Sequence, residues 1–252
     1  MKRILGVMLA SMTGVAAAVA GAQVGYPPSR SPFVDVEQTQ ELTVLFGWFN
    51  AKRDPARVAP QAAVMTGLQY EWRATGPLHL GLEVVGINSE RKSLDPQQPA
   101  AARDLGTQPN RIYGADGFLA VSLTGARSWH HVMPMTQIGM GIVSDFKGPD
   151  VGGFKFGTRF ALPWGAGVRW VPGGGHIQLR ADVKDWMYTV VYPQSYFTVN
   201  TVGGSAIVTG GVPASGRFWT NNFAMTVGLV RRKNVLISPS TSSVDTYALL
   251  GS

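Results

Sequence analysis

The chain has 252 residues, no cysteine and a formal net charge of +7. This length suits one barrel or sandwich domain, and the lack of cysteine excludes a small disulfide-stapled scaffold. Charged residues make up only 15% of the chain, against about a quarter in soluble domains, and the basic residues are scattered over strands and turns. The composition therefore argues against a nucleic-acid-binding surface.

The first 22 residues have the pattern of a secretory signal peptide. Two basic residues follow the initiating methionine, and an uncharged apolar run covers Ile4–Val19. Small residues then predict cleavage before Gly21 or before Gln23. The pattern indicates export from the cytoplasm, and the Pro/Ser-rich residues 23–40 predict a flexible N-terminal lead-in.

Eight segments then alternate between apolar residues and small or polar residues with a period of two, which is the pattern of β-strands. In chain order they are Glu41–Phe49, Ala62–Arg73, Leu78–Ser89, Ile112–Thr124, Val132–Val143, Phe156–Trp170, His176–Tyr188 and Phe218–Val230. Every apolar stretch after the signal is too short for a transmembrane helix, which needs roughly 20 residues. The sequence predicts an all-β domain over residues 41–232 and a short C-terminal tail over residues 233–252.

The connections between these segments alternate in length. Short turns are predicted at Ala74–Pro77, Gly125–His131 and Val171–Gly175, and longer ones at Asn50–Gln61, Glu90–Arg111, Ser144–Lys155 and Thr189–Arg217. Outer-membrane barrels have short periplasmic turns and long outer loops. The pattern therefore favours a single antiparallel up-and-down transmembrane β-barrel of eight strands. Two stretches in the last connection, Tyr196–Val202 and Ala206–Thr209, leave open a hairpin above the membrane or a ten-stranded barrel.

The apolar face of each strand is predicted to meet lipid and the polar face to line the lumen. An eight-stranded barrel has an interior just wide enough to be filled by side chains, and the polar faces have small residues and charges of both signs. The predicted lumen charge network consists of Glu71, Arg73, Glu83, Arg159, Arg169, Arg180, Asp182 and Lys184. Bases outnumber acids in this set, so we expect every acid to be paired and some bases to reach water at the rims.

Tryptophans cluster toward the ends of the predicted strands. They are Trp48, Trp72, Trp129, Trp170, Trp186 and Trp219, and we expect them to form aromatic girdles at the two membrane interfaces. The alternative is a soluble secreted β-barrel with scattered exposed charges, in which the apolar face would point inward.

Three segments together resemble the small OmpA-type outer-membrane β-barrel superfamily. They are the glycine-rich residues 165–170, the alternating residues 176–182 and the final strand, residues 221–229. The resemblance covers about residues 41–232. It implies an outer-membrane location, contact with outer-membrane lipid and lipopolysaccharide, and the barrel-assembly machinery as a partner during biogenesis.

Candidate chemistry is sparse. Enzymes among small outer-membrane barrels have their catalytic groups near the outer rim, whereas His79, His130, His131 and His176 all lie near predicted short turns. No cysteine or carboxylate stands at metal-ligand spacing from a histidine. We therefore expect no catalytic, cofactor or metal site.

Three functional classes remain. The first is a structural or adhesive barrel with a filled lumen and long loops that bind extracellular partners. The second is a narrow channel or carrier for small or hydrophobic solutes, and the third is a lipid-modifying enzyme. Paired lumen charges favour the first, because they fill a small barrel.

Overall fold

The computed structural model describes residues 31–36, 40–172, 177–199, 205–210, 212–213 and 215–233. The signal peptide, its cleavage sites, His176 and the tail beyond residue 233 lie outside these ranges. The strands are β1 (Phe33–Asp35), β2 (Gln40–Asn50), β3 (Ala63–Thr75), β4 (Leu78–Leu94), β5 (Asp104–Ser122), β6 (Arg127–Trp129), β7 (Val132–Ser144), β8 (Thr158–Trp170), β9 (Ile177–Val191), β10 (Arg217–Thr220) and β11 (Phe223–Lys233). No helix in the described residues is long and apolar enough to cross a membrane.

Eight of these strands form a closed antiparallel barrel. Neighbours pair in the order β2, β3, β4, β5, β7, β8, β9 and β11, and β11 pairs back with β2 from Phe223↔Asn50 to Lys233↔Gln40. Closure leaves neither edge of the sheet with unpaired backbone groups. The predicted all-β, eight-stranded up-and-down barrel is confirmed. We call its two ends the short-turn end and the long-loop end.

Two predicted segment boundaries are wrong. The connection predicted at Glu90–Arg111 is mostly strand, because β4 and β5 continue to pair as far as Leu94↔Asp104. The eighth predicted strand, Phe218–Val230, is interrupted at Asn221 and Asn222, between β10 and β11.

Asn222 holds this interruption together. Its backbone N–H donates to Asp185 Oδ1 at 2.8 Å, and its Nδ2 donates to the Trp186 carbonyl at 2.9 Å. Its Oδ1 also accepts the Lys52 N–H at 3.1 Å. Side-chain amide and carboxylate groups therefore replace the ladder hydrogen bonds that the break removes.

The N-terminal lead-in, predicted to be flexible over residues 23–40, is ordered in residues 31–36. β1 pairs with β6 from Phe33↔Trp129 to Asp35↔Arg127. Val36 follows and is buried in an apolar cluster with Phe118, Ala120, Met133, Met135 and Val171. The apolar contact and the backbone pairing supply the ordering that a Pro/Ser-rich composition did not predict.

The long connection after β9 forms no strand before β10 in the described residues, so neither the ten-stranded barrel nor the hairpin is observed there. β9 itself extends to Val191, and a 3₁₀ turn follows at Gln194–Tyr196. Tyr196 and Val208 are buried against the long-loop end of the barrel. The apolar residues of this connection therefore pack against the long-loop end of the barrel.

Candidate functional site

The half of the barrel interior nearer the short-turn end contains like charges on neighbouring strands. Glu41 of β2 lies directly opposite Glu71 of β3, and Arg169 of β8 lies directly opposite Arg180 of β9. Each pair would be repulsive on an isolated hairpin. The closed barrel brings the acidic pair and the basic pair together across its interior.

These four side chains and Asp182 form a continuous ion network. Arg169 Nη2 lies 2.8 Å from Glu41 Oε2 and 2.5 Å from Glu71 Oε2. Arg180 donates to the other oxygen of Glu71 and, through Nε, to Asp182 Oδ2 at 2.6 Å. Opposite charges therefore alternate along the network, which offsets the cost of burying each of them.

Amide side chains and a glycine complete this layer. Gln69 donates to Glu71 at 2.7 Å, and Gln137 lies within hydrogen-bonding distance of both Arg180 and Asp182. At Gly167 a Cβ atom would lie 2.1 Å from Asp182 Oδ1, so only glycine leaves room for this carboxylate.

A second charged group lies nearer the long-loop end. Lys184 donates to Glu83, and its ammonium lies 5.1 Å from the centre of the Phe118 ring. Asp116 faces Glu83 across β4 and β5 and is also buried. Lys184 therefore pairs with one of two neighbouring carboxylates, whereas both oxygens of the Asp116 carboxylate lack a hydrogen-bond partner among the described residues.

The predicted charge network is assembled in part. Glu71, Glu83, Arg169, Arg180, Asp182 and Lys184 are buried and in contact as described above. Arg73 instead lies at the short-turn end, where it donates to the carbonyls of Gly76 and Val36. Arg159 lies at the long-loop end and donates to the Lys155 carbonyl. These two bases lie at the ends of their strands, beyond reach of the central acids.

Sequence reasoning missed two acids of the interior, Glu41 and Asp116. With them, the buried middle of the barrel contains five carboxylates and three bases among the described residues, so the expectation that acids are outnumbered there is wrong. The period-two alternation indicated that both acids face inward. Glu41 is four residues from the inward residue Leu45, and Asp116 is four residues from the inward residue Ala120.

Apolar side chains close the interior on both sides of the charged layers. The Val36 cluster lies at the short-turn end. At the long-loop end a larger cluster combines strand residues such as Met65, Ile112 and Trp186 with loop residues such as Phe154 and Tyr196. The interior is therefore filled from one end to the other.

The loops over the long-loop end are joined by buried hydrogen bonds. Asp54 accepts the N–H groups of Val58 at 3.2 Å and Ala59 at 3.0 Å, as well as the Tyr192 hydroxyl. The same hydroxyl accepts the Ala56 N–H at 3.1 Å. Burial and the hydrogen bond to Asp54 raise the pKa of Tyr192 well above its ordinary value of 10.0. The connection after β2 is thus held to the connection after β9.

A buried ion pair ties a third loop to the wall. Arg91 Nη1 lies 2.6 Å from Asp150 Oδ2, and the guanidinium lies 5.4 Å from the centre of the Phe154 ring. Asp150 also accepts the Phe154 N–H at 2.9 Å. We refer to these joined loops, residues 51–62, 145–157 and 192–199, as the loop cap.

Five of the six predicted girdle tryptophans lie on the outer surface. Trp48 and Trp219 are exposed toward the long-loop end, Trp129 and Trp170 are exposed at the short-turn end, and Trp72 is partly exposed there. Trp186 is wrong as a girdle residue: it is 1% exposed and packs inside the barrel against Gly114. Trp186 is two residues from Lys184 and therefore lies on the same inward face of β9. It was predicted to face lipid because the tryptophans are concentrated near strand ends.

The described histidines do not assemble a reactive site. His79 is buried near Glu71 and Arg169, whereas His130 and His131 lie in the turn after β6 with positive φ angles. Among the described residues no three His, Cys, Asp or Glu side chains are grouped as metal ligands would be. Chemically, the interior is densely filled, and most of its charged side chains form ion pairs.

Comparison with known proteins gave matches among solved structures. Neisserial surface protein A (NspA) is 11% identical, with a TM-score of 0.42 over 81% of this chain and 98% of that one. The outer membrane protein OprG from Pseudomonas aeruginosa is 10% identical, with a TM-score of 0.45 over 79% of this chain and 98% of the OprG chain. No family model and no curated protein matches the chain.

Proposed function

We propose that this chain is an outer-membrane protein whose barrel crosses the bilayer and has a filled interior. The protein has a structural or adhesive role, and its long loops bind partners outside the cell. The observation that carries this proposal is the distribution of side chains across the barrel wall. Outward positions such as Phe46, Ile138 and Val227 are about 60% exposed, while inward positions include the buried charges. In a soluble barrel the two faces would be exchanged.

Other features support the same placement. Exposed tryptophans flank the apolar band at both ends, as they do at membrane interfaces. The long loops lie together at one end, and outer-membrane barrels place such loops outside the cell. We extend the proposal to export by a cleaved signal over residues 1–22 and insertion by the barrel-assembly machinery. N-terminal sequencing of protein from the envelope tests the first of these.

The filled interior supports a structural or partner-binding role over a channel. Two apolar clusters and two charged layers occupy the path between the ends. Insertion of folded protein into planar bilayers should therefore give no stable, large, ohmic conductance. Such channels from the wild-type chain would favour the channel alternative. On gels in detergent the unheated protein should migrate apart from the boiled protein, as membrane barrels do; identical migration would contradict a membrane barrel.

A further inference from the structure

Three polar side chains form a row across adjacent strands of the barrel interior. Gln69 of β3 lies directly opposite Glu83 of β4, and Glu83 lies directly opposite Asp116 of β5. All three side chains are buried. The side chains of directly opposite residues point to the same face of a sheet, and their Cβ atoms are about 4.5–5.5 Å apart. We call Gln69, Glu83 and Asp116 the acidic row.

The acidic row has four side-chain oxygens without a hydrogen-bond partner among the described residues. They are Gln69 Oε1, Glu83 Oε1 and both carboxylate oxygens of Asp116. The remaining polar atoms of the row are occupied, because Gln69 Nε2 donates to Glu71 at 2.7 Å and Glu83 Oε2 accepts Lys184 Nζ. Since the nitrogen of the Gln69 amide is turned to Glu71, the amide oxygen is turned away from that acid. Buried acceptors without a partner are costly, so the row is suited to a ligand that takes oxygen donors.

The negative charge of the row is only partly balanced. Lys184 pairs with Glu83, and in the part of the chain that the structure describes no other base lies within ion-pair distance of Glu83 or Asp116. In the buried middle of the barrel the carboxylates outnumber the Arg and Lys side chains by five to three among the described residues. A buried negative charge without a counterion has a large desolvation cost. One divalent cation would balance the excess.

Two glycines leave room beside the Asp116 carboxylate. Gly141 of β7 lies directly opposite Asp116, and Gly139 is the next inward residue of that strand. A Cβ atom at Gly139 would lie 3.2 Å from Asp116 Oδ1, and one at Gly141 would lie 2.5 Å from Asp116 Cβ. A side chain at either position would therefore press against Asp116. β7 leaves the space beside this carboxylate open.

We propose that the acidic row binds one calcium ion inside the barrel. Calcium takes carboxylate, amide and water oxygens in a flexible geometry. Asp116 offers two oxygens, and Glu83 and Gln69 offer one each, so water would complete the coordination. Magnesium fits less well, because it dehydrates reluctantly and demands near-ideal octahedral geometry. All the donors are oxygens, so the site needs no histidine or cysteine. The proposal is independent of which end of the barrel faces outside.

Refolding in detergent free of lipopolysaccharide, with either calcium or a chelator present, tests the proposal. The barrel wall encloses the site, so the ion should be taken up as the barrel folds. After gel filtration, wild-type protein folded with calcium should retain the metal in equimolar amount, as measured by atomic emission. It should also unfold at a higher urea concentration than protein folded with the chelator. Protein refolded with magnesium should retain several-fold less metal.

Asp116→Asn should abolish both effects of calcium, because it removes one charge and one ligand oxygen at nearly unchanged volume. The matched control is Asp104→Asn, which removes the same charge from an exposed residue at the start of β5. This control should retain calcium as the wild type does.

No retained calcium in the wild type, equal retention by Asp116→Asn, or an equal loss in the Asp104 control would overturn the proposal. Equal retention of magnesium would reject calcium as the ion. Infrared spectra test for a shared proton in its place: a protonated-carboxyl band that Asp116→Asn removes, in wild-type protein without retained metal, would also overturn the proposal. If Asp116→Asn does not fold, Gln69→Met decides, because it removes the amide oxygen without a change of charge. Retention should then fall several-fold, and unchanged retention would overturn the site.

Discussion

Arg169 and Arg180, both cations, lie directly opposite each other on the neighbouring strands β8 and β9. Glu41 and Glu71 form the same kind of repulsive pair on β2 and β3. Neither hairpin is electrostatically favourable alone, and each becomes so only when the closed barrel brings the acidic wall against the basic wall. Barrel closure and formation of the ion network are therefore coupled.

Removing Arg169 should destabilise the barrel more than removing any surface cation. Arg169→Met leaves Glu41 and Glu71 without the base that lies between them, which should cost about 3–5 kcal/mol of unfolding free energy. Urea titration of the folded barrel, followed by tryptophan fluorescence, measures the loss. The control is Arg127→Met, which breaks an exposed pair with Asp35 and should cost at most about 1 kcal/mol.

Glu71→Gln should cost less than Arg169→Met in the same titration. Arg169 keeps Glu41 and Arg180 keeps Asp182, so two complete ion pairs remain. A larger loss for Glu71→Gln would contradict the alternating network.

A charge placed on the outer wall should be tolerated according to its depth. Val227 lies midway along β11, whereas Leu179 lies opposite Trp170 near the short-turn end. Val227→Arg should cost about 2–4 kcal/mol and Leu179→Arg about 0–1 kcal/mol, the values for the bilayer midplane and interface. Unfolding titrations in lipid vesicles compare the two; equal costs would contradict the proposed membrane position.

The N-terminal segment should be held by Val36 rather than by its three-residue strand. Val36→Asp puts a carboxylate into the apolar cluster at the short-turn end and should release residues 31–36 to added protease. Val34→Asp is the matched control, because Val34 is exposed on the same segment. Equal protection of the segment in both variants would show that Val36 does not anchor it.

The loop cap should weaken as the pH rises above about 10. Burial and the Asp54 hydrogen bond raise the pKa of Tyr192, so the folded state keeps a proton that the unfolded loop loses, and stability falls with pH in that range. Limited proteolysis of the loops at pH 8 and pH 11 measures this.

Tyr192→Phe removes the hydroxyl that links Asp54 to the Ala56 N–H. It should speed loop cleavage at pH 8, reflecting about 1–3 kcal/mol of lost stability. It should also reduce the pH dependence, part of which remains because burial raises the pKa of Tyr196 as well. Tyr113→Phe, at an exposed tyrosine, should do neither.

Much of this architecture follows from the sequence. Period-two alternation predicted eight barrel strands, with ten left open. It also predicted the inward and outward face of each strand and the inward side of Glu71, Arg169 and Arg180, because side chains on a strand alternate strictly between faces. The alternation of short and long connections determined which loops share an end.

Only the tertiary structure decided which groups meet. Glu71 and Arg180 are 109 residues apart, and Asp54 and Tyr192 are 138 apart, so no local pattern relates them. Their contacts depend on the stagger and closure of the barrel, which bring opposite walls within reach across a narrow interior. The same dependence left Arg73 and Arg159 at the rims and ordered the segment before β2.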